Sequence, residues 1–178
     1  TVPVPVSLSS PCPSPCPYPS PCPNVPVSQL HLTKWDTVPV PVSSSIESAI
    51  RWKEKLLASD KYYFKTMQPS MLAEDMAVVY AIFDMSTDKA LYVGRTKKLR
   101  RRLYTNHLQG NKSTARLKKY IVEDNQNFPE INDYEKAKAW LKDNCYFQYI
   151  AVQDSRERGH VEGLLGFLLD SRYMEEEH

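Results

Sequence analysis

Two tyrosines, Tyr80 and Tyr92, sit in short apolar runs, VVYAIF and ALYVG, on either side of a polar turn. Directly after them comes RTKKLRRRL, with six basic residues in the eight positions 95–102. Phenols on two paired strands, with guanidinium and ammonium groups on the next element, suit work on a phosphodiester. The cations neutralise its charge, and a phenol can hold or move a proton. Residues 89–120 hold 11 Lys and Arg and no Asp or Glu, whereas residues 121–178 hold 6 against 13. The global net charge of +2 hides this asymmetry. A local basic surface points to a polyanion such as nucleic acid, and the plainer reading is a solvated helical face.

The elements that must position these residues follow from periodicity. VVYAIFD (78–84) reads as a buried strand, Ser86 to Lys89 as a turn, and ALYVG (90–94) as the return strand of a hairpin. A helix is expected over about 98–108 with Leu99 and Leu103 inward, stopped by Gly110 and Asn111. Ser113 can cap a second helix bearing Leu117 and Ile121, and a third spans about 133–142 with Ala137, Trp140 and Leu141 on one side. CYFQYIAV (145–152) reads as a third strand, and a last helix runs over about 155–173 with Val161, Leu164, Leu165, Leu168 and Leu169 inward. Upstream, Ser44 and Glu47 fit a capping box for an opening helix with Ile46, Ala49, Ile50, Leu56 and Leu57 at helical spacing. KYYFKTMQPS between that helix and the hairpin is ambiguous. The expected fold is α+β, a small three-stranded antiparallel-type sheet flanked by helices.

The first quarter of the chain is different. Residues 1–45 hold 12 of the 14 prolines, three of the four cysteines and only two charges, Lys34 and Asp36. Such a composition cannot bury a core and suits extended or disordered chain. TVPVPVS at 1–7 recurs at 37–43, with a partial VPVS at 25–28, too few copies for a solenoid. The expected organisation is a low-complexity tail at 1–43, a helical segment at 44–75 and a main domain at 76–174. Cys12, Cys16, Cys22 and His31 do not have a zinc-site spacing, and Cys145 reads as core. No apolar stretch approaches a membrane span and no secretory signal is evident, so a cytoplasmic or nucleoid-associated protein is expected.

On these residues the chain resembles the GIY-YIG nuclease family, whose members include homing endonucleases and the nicking subunit of bacterial excision repair. Val78-Val79-Tyr80 stands where the family has GIY, and Tyr92-Val93-Gly94 where it has YIG. The resemblance places the catalytic arginine at Arg102, ten residues after the second tyrosine, and the single metal-binding glutamate at Glu162 on the last helix. It implies DNA phosphodiester hydrolysis with one divalent metal, Mg²⁺ or Mn²⁺. Either hairpin tyrosine can be the base, and Tyr80 is favoured, with Tyr92 positioning or stabilising. Gly94 would let the backbone turn near the phosphate, and Arg95 would contact it. A lone carboxylate suits Mg²⁺, which keeps waters and takes substrate oxygens as its other ligands. Arg102 can make bidentate contact with phosphate oxygens.

Three departures stand out. The family usually has Tyr or His four residues after the arginine, and here that position is Asn106, with His107 one step further. One residue turns a helical side chain by about 100°, so His107 can substitute only if the helix is locally irregular. GIY is VVY, and the Pro and Asn that often follow the last helix are absent from DSRYMEEEH. The basic segment supplies further expected DNA contacts in Lys97, Lys98, Arg101, Asn106, Lys112, Arg116 and Lys119. The leading expectation is a metal-dependent DNA endonuclease or nickase. The alternatives are a non-catalytic nucleic-acid-binding module on the same fold, and a scaffold whose Pro-rich tail docks on aromatic grooves. No recognition module is evident in the sequence, so target choice would come from a homodimer, a partner protein or the structure of the nucleic acid.

Overall fold

The computed structural model describes residues 42–110 and 113–174. The Pro-rich tail with Cys12, Cys16, Cys22 and His31, and Lys112 of the basic segment, lie outside the described residues.

Four strands form one antiparallel sheet: β1 (Tyr62–Tyr63), β2 (Val78–Asp84), β3 (Ala90–Thr96) and β4 (Cys145–Ala151), in the order β1-β4-β2-β3. The expected hairpin and third strand supply three of its strands, with β4 and β2 central and β3 at one edge. The addition is β1, two residues from the ambiguous KYYF segment, which pairs with the outer edge of β4. Strand alternation splits the core in two. Val78, Tyr80, Ile82, Tyr92 and Phe147 face one side, and Val79, Ala81, Phe83, Val93 and Tyr146 the other.

The first face is covered by a π-helix (Arg101–Gln109), α2 (Arg116–Glu123) and α3 (Tyr134–Asn144). The second is covered by α1 (Val42–Leu57) and α4 (Ser155–Leu168). Four expectations change in detail. Helix α1 begins before Ser44, which is therefore inside the helix and not its N-cap. Leu56 is its buried anchor, with Trp52 alongside, while Ile46, Ile50 and Leu57 are exposed. The arc of α1 facing β4 and α4 lies beside the expected one. Helix α2 is preceded by Ala115 at its N-cap, not Ser113, and Leu117 and Ile121 are buried as expected. Helix α3 does have a side-chain cap, Asp133, which accepts from the Lys136 amide at 2.7 Å.

The fourth change is at the end of α4. The helix stops at Leu168, five residues short of the expected 173. Asp170 takes a left-handed φ of 48°. The Asp170 amide donates to Phe167 O and the Ser171 amide to Gly166 O, both at 3.1 Å, which is a Schellman motif with aspartate in the position that usually holds glycine. The chain then runs back along the free edge of β3. Arg172 N donates to Ala90 O, Tyr173 N donates to Leu91 O, and Tyr173 bridges Tyr92. The Tyr173 hydroxyl donates to Asp124 Oδ2 at 2.7 Å, and its ring stacks on Tyr120. Thus the segment after α4 straps the edge strand.

Candidate active site

The register of β2 and β3 places Tyr80 opposite Gly94 and Ile82 opposite Tyr92. Tyr80, Tyr92 and Gly94 therefore share one face of the sheet. A Cβ built on Gly94 would lie 2.6 Å from the Tyr80 hydroxyl and 2.8 Å from the Tyr92 ring. No side chain fits there. Gly94 is buried within β3, so the expected turn near a phosphate is not its role: it makes room for both phenols.

Arg102 bridges the two phenols. Its Nε donates to the Tyr80 hydroxyl oxygen at 2.9 Å and its Nη2 to the Tyr92 hydroxyl oxygen at 3.3 Å. On the other side of the Tyr80 hydroxyl is His107 Nε2, at 2.7 Å. The His107 ring stands edge-on to both tyrosine rings, with centroids 5.6 Å away in each case. This answers the spacing problem. In an α-helix, residues five apart point about 140° away from each other. In the π-helix, i→i+5 hydrogen bonds bring them onto one side. Arg102 and His107 converge on Tyr80, and the similarly spaced Leu103 and Leu108 are both buried. Asn106, at the usual family spacing, instead lines the basic cleft described below.

Protonation follows from burial. Tyr80 is fully buried, and desolvation with its neighbour Tyr92 pushes its pKa far above the ordinary range, against the opposing pull of Arg102. His107 is also fully buried. Desolvation and the charges of Arg102 and Lys118 hold its pKa well below the ordinary histidine value, so it is neutral. With Arg102 donating to the phenol oxygen, the phenol proton points to His107 Nε2, and the imidazole carries its proton on Nδ1. In the other tautomer the phenol proton would lack an acceptor. His107 Nδ1 has no hydrogen-bond partner among the described residues.

Lys118 was not an expected site residue. It is buried on α2 and donates to the carbonyls of Leu108 at 3.2 Å and Gly110 at 2.5 Å, tying down the end of the π-helix. Its position between buried Leu117 and Ile121 is the only sequence signal for it.

Glu162 comes from α4, on the opposite face of the sheet, and meets Tyr92 around the edge of β3. Both line a cleft of about 160 Å³, with Gly163, Gly166, Ser171 and Tyr173. Arg95 Nε pairs with Glu162 Oε2 at 2.9 Å, and a Cβ at Gly159 would overlap the Arg95 guanidinium, so Gly159 leaves the path for it. A second cleft, of about 390 Å³, is lined by Arg95, Lys97, Lys98, Arg101, Arg102 and Asn106. Arg95 and Arg102 thus connect the basic cleft to the carboxylate and to the phenols. Arg116 and Lys119 lie on α2 and line neither cleft, and Lys119 pairs with Glu123 at 3.9 Å.

No group of three or more His, Cys, Asp or Glu among the described residues could hold a metal. The metal ligand that the resemblance implied, Glu162, would therefore be a lone carboxylate. Ser171 lines the same cleft, and its Oγ is buried and without a hydrogen-bond partner among the described residues. A lone carboxylate fits a hydrated Mg²⁺ or Mn²⁺ rather than a fully dehydrated ion in a protein cage.

Residues 76–144 match the family model of the GIY-YIG catalytic domain. No curated protein matches the chain. The match spans β2, β3, the π-helix, α2 and α3, and ends where β4 begins. The chain carries a GIY-YIG catalytic domain, which is a nuclease domain, a class of phosphodiester hydrolase that typically uses a divalent metal. Glu162 and Ser171 lie beyond the matched residues and join the site through the fold. Among the described residues, no helix is long and apolar enough to cross a membrane.

Proposed function

We propose that the chain is a DNA endonuclease or nickase, with Arg102, Tyr80, Tyr92, His107 and Glu162 as its working groups. The observation that carries this reading is the single guanidinium, Arg102, shared by two buried phenols, with a neutral imidazole behind the first. Ordinary packing would not leave a cation, two phenols and an imidazole converging on one point. The basic cleft that opens on Arg102 suits a phosphate backbone.

Each role follows from the chemistry of the group. Arg102 neutralises the phosphate and stabilises the charge that builds on it. Tyr80 accepts the proton of the attacking water while giving its own to His107 Nε2, so no free-standing phenolate is needed at neutral pH. The neutral state of His107 keeps its lone pair available for this. Tyr92 holds the guanidinium in plane. Glu162 would hold Mg²⁺ or Mn²⁺, whose Lewis acidity supplies help for the leaving oxygen. Lys97, Lys98 and Arg101 track the flanking backbone.

Cleavage of plasmid and branched DNA with Mg²⁺, with Mn²⁺ and with EDTA tests the reading. Cutting should need the metal, and Arg102→Ala and Glu162→Ala should each lower the rate by about 10²-fold or more. DNA binding without cutting under every metal would replace the nuclease with a binding module on the same fold.

A further inference from the structure

We propose that Lys118 is a positioning residue for the cleavage reaction above, a reading on which this inference rests: its buried side chain clamps the end of the π-helix and so keeps His107 on the Tyr80 hydroxyl. Lys118 is buried on α2, in the same helix face as Leu117 and Ile121. Burying an ammonium costs free energy that an apolar side chain at the same place would not. The best-attested use of such a buried group is to fix a register.

The register here is that of one extra residue. Arg102 N donates to Lys98 O at 2.9 Å at the start of the π-helix, and Gly110 N donates to Asn106 O at 3.1 Å at its end, each four residues back. Between these α-type turns the i→i+5 pattern brings His107 onto the side of Arg102. Reversion to α-type bonding throughout would swing His107 away from Tyr80 by about one residue's turn, roughly 100°. The ring has no second tether, because His107 Nδ1 lacks a hydrogen-bond partner among the described residues. Its place depends on Tyr80 and on the backbone that carries it.

Lys118 holds that backbone. Its Nζ donates to Leu108 O at 3.2 Å and to Gly110 O at 2.5 Å, carbonyls of the kind a helix end leaves without donors. Leu108 directly follows His107. A Cβ on Gly110 would overlap Asn106 O and the Thr114 hydroxyl, so this exit from the helix is open to glycine alone. The imidazole is faced by Arg102 on its own helix, Tyr80 on β2, Tyr92 on β3 and Lys118 on α2, with Glu135 and Lys138 on α3 next to Lys118. Burial first, then the two cations, disfavour the imidazolium, and the neutral ring is the one that can accept the Tyr80 proton.

Cleavage at saturating DNA and fluorescence anisotropy on the full chain test this with two variants, apolar Lys118→Met and Lys118→Gln, a neutral donor. Lys118 lines neither cleft, so duplex affinity should stay close to wild type. The cleavage rate should fall by about 10- to 100-fold. Its acid limb should move to higher pH, because loss of a cation raises the pKa at which His107 takes up a proton. The ¹⁵N resonances of His107, assigned with His107→Gln, follow the ring without any cleavage. They should show one neutral tautomer in wild type, and mixed tautomers titrating at higher pH in the variants. Unchanged His107 resonances overturn the inference whatever the rate does, and leave the nuclease reading standing as long as wild type cuts. A loss confined to DNA affinity, or failure of both variants to fold, also overturns it, since Lys118 would then act on binding or on folding. A wild type that cuts under no metal removes the nuclease reading and this inference with it.

Discussion

Tyr80 is fully buried, and its neighbours decide where its proton can go. Its hydroxyl meets a permanent cation on one side and a neutral imidazole on the other, so its proton has a defined destination. The motif residues were legible because they combine rare features: two tyrosines in matched apolar runs, then a dense cationic segment. The role of Gly94 was not, because a missing Cβ matters only once two rings are known to converge on it. His107 yields a pH prediction. An unfolded histidine titrates near 6.5, whereas desolvation and two nearby cations keep the native imidazole neutral well below that. Below about pH 6.5 the unfolded chain binds a proton that the native chain refuses. Native stability is then lost as pH falls from the unfolded pKa towards the native one, by up to about 1.4 kcal/mol per unit. Denaturant melts at pH 7.5 and 5.5 should show this acid loss in wild type and a smaller one in His107→Gln. Parallel losses in the two proteins would mean that His107 already titrates normally in the fold.

The elements carry a different lesson. Strands β2, β3 and β4 were legible from runs of β-branched and aromatic residues. The π-helix was not, because its sequence reads as an ordinary amphipathic helix, and only the one-residue offset of His107 from the family's usual spacing after Arg102 hinted at an irregularity. Its register is held from outside: Tyr80 meets Arg102 near its start and His107 near its end, and Lys118 holds the last carbonyls. The end of α4 was misjudged for a related reason. Apolar residues continue through Leu169, and a left-handed Asp170 gives no glycine signal. If the π-register exists to absorb one extra residue, deleting exposed Thr105 should be accepted. The deletion makes both the Arg102–His107 and the Leu103–Leu108 spacings four, which an α-helix brings onto one face. The shortened protein should fold, melt no lower than wild type and cut within about tenfold of it, since one rate decade is about 1.4 kcal/mol. Inserting an alanine at the same place should cost far more. A deletion variant that folds normally but has lost cleavage would separate His107 from the reaction.

At the scale of the molecule, the chain divides its charge. Five of the six basic residues of 95–102 line the cleft that opens on Arg102, while the sequence from 121 onward carries an acidic excess. Sequence counts revealed the asymmetry but not the selection within it. Of the nine cations from 95 to 119 that are described, Arg100 is drawn away by Leu72 O and Glu74, Lys118 is buried, Lys119 pairs with Glu123, and Arg116 lies on α2 away from the cleft. Arg95, Lys97, Lys98, Arg101 and Arg102 remain at the cleft. A backbone-tracking cleft of that size releases counterions when it fills, so log K for duplex DNA should fall against log salt with a slope of roughly −4 to −5. Lys97→Ala should reduce the slope by about one and weaken binding on any sequence to a similar degree. Lys136→Ala, on α3 and bonded to Asn132, should leave both unchanged. Fluorescence anisotropy over a salt series decides it. A slope that Lys97→Ala leaves intact but Lys136→Ala reduces would move the DNA to the opposite end of the first face, and the phenols would then have no phosphate to act on.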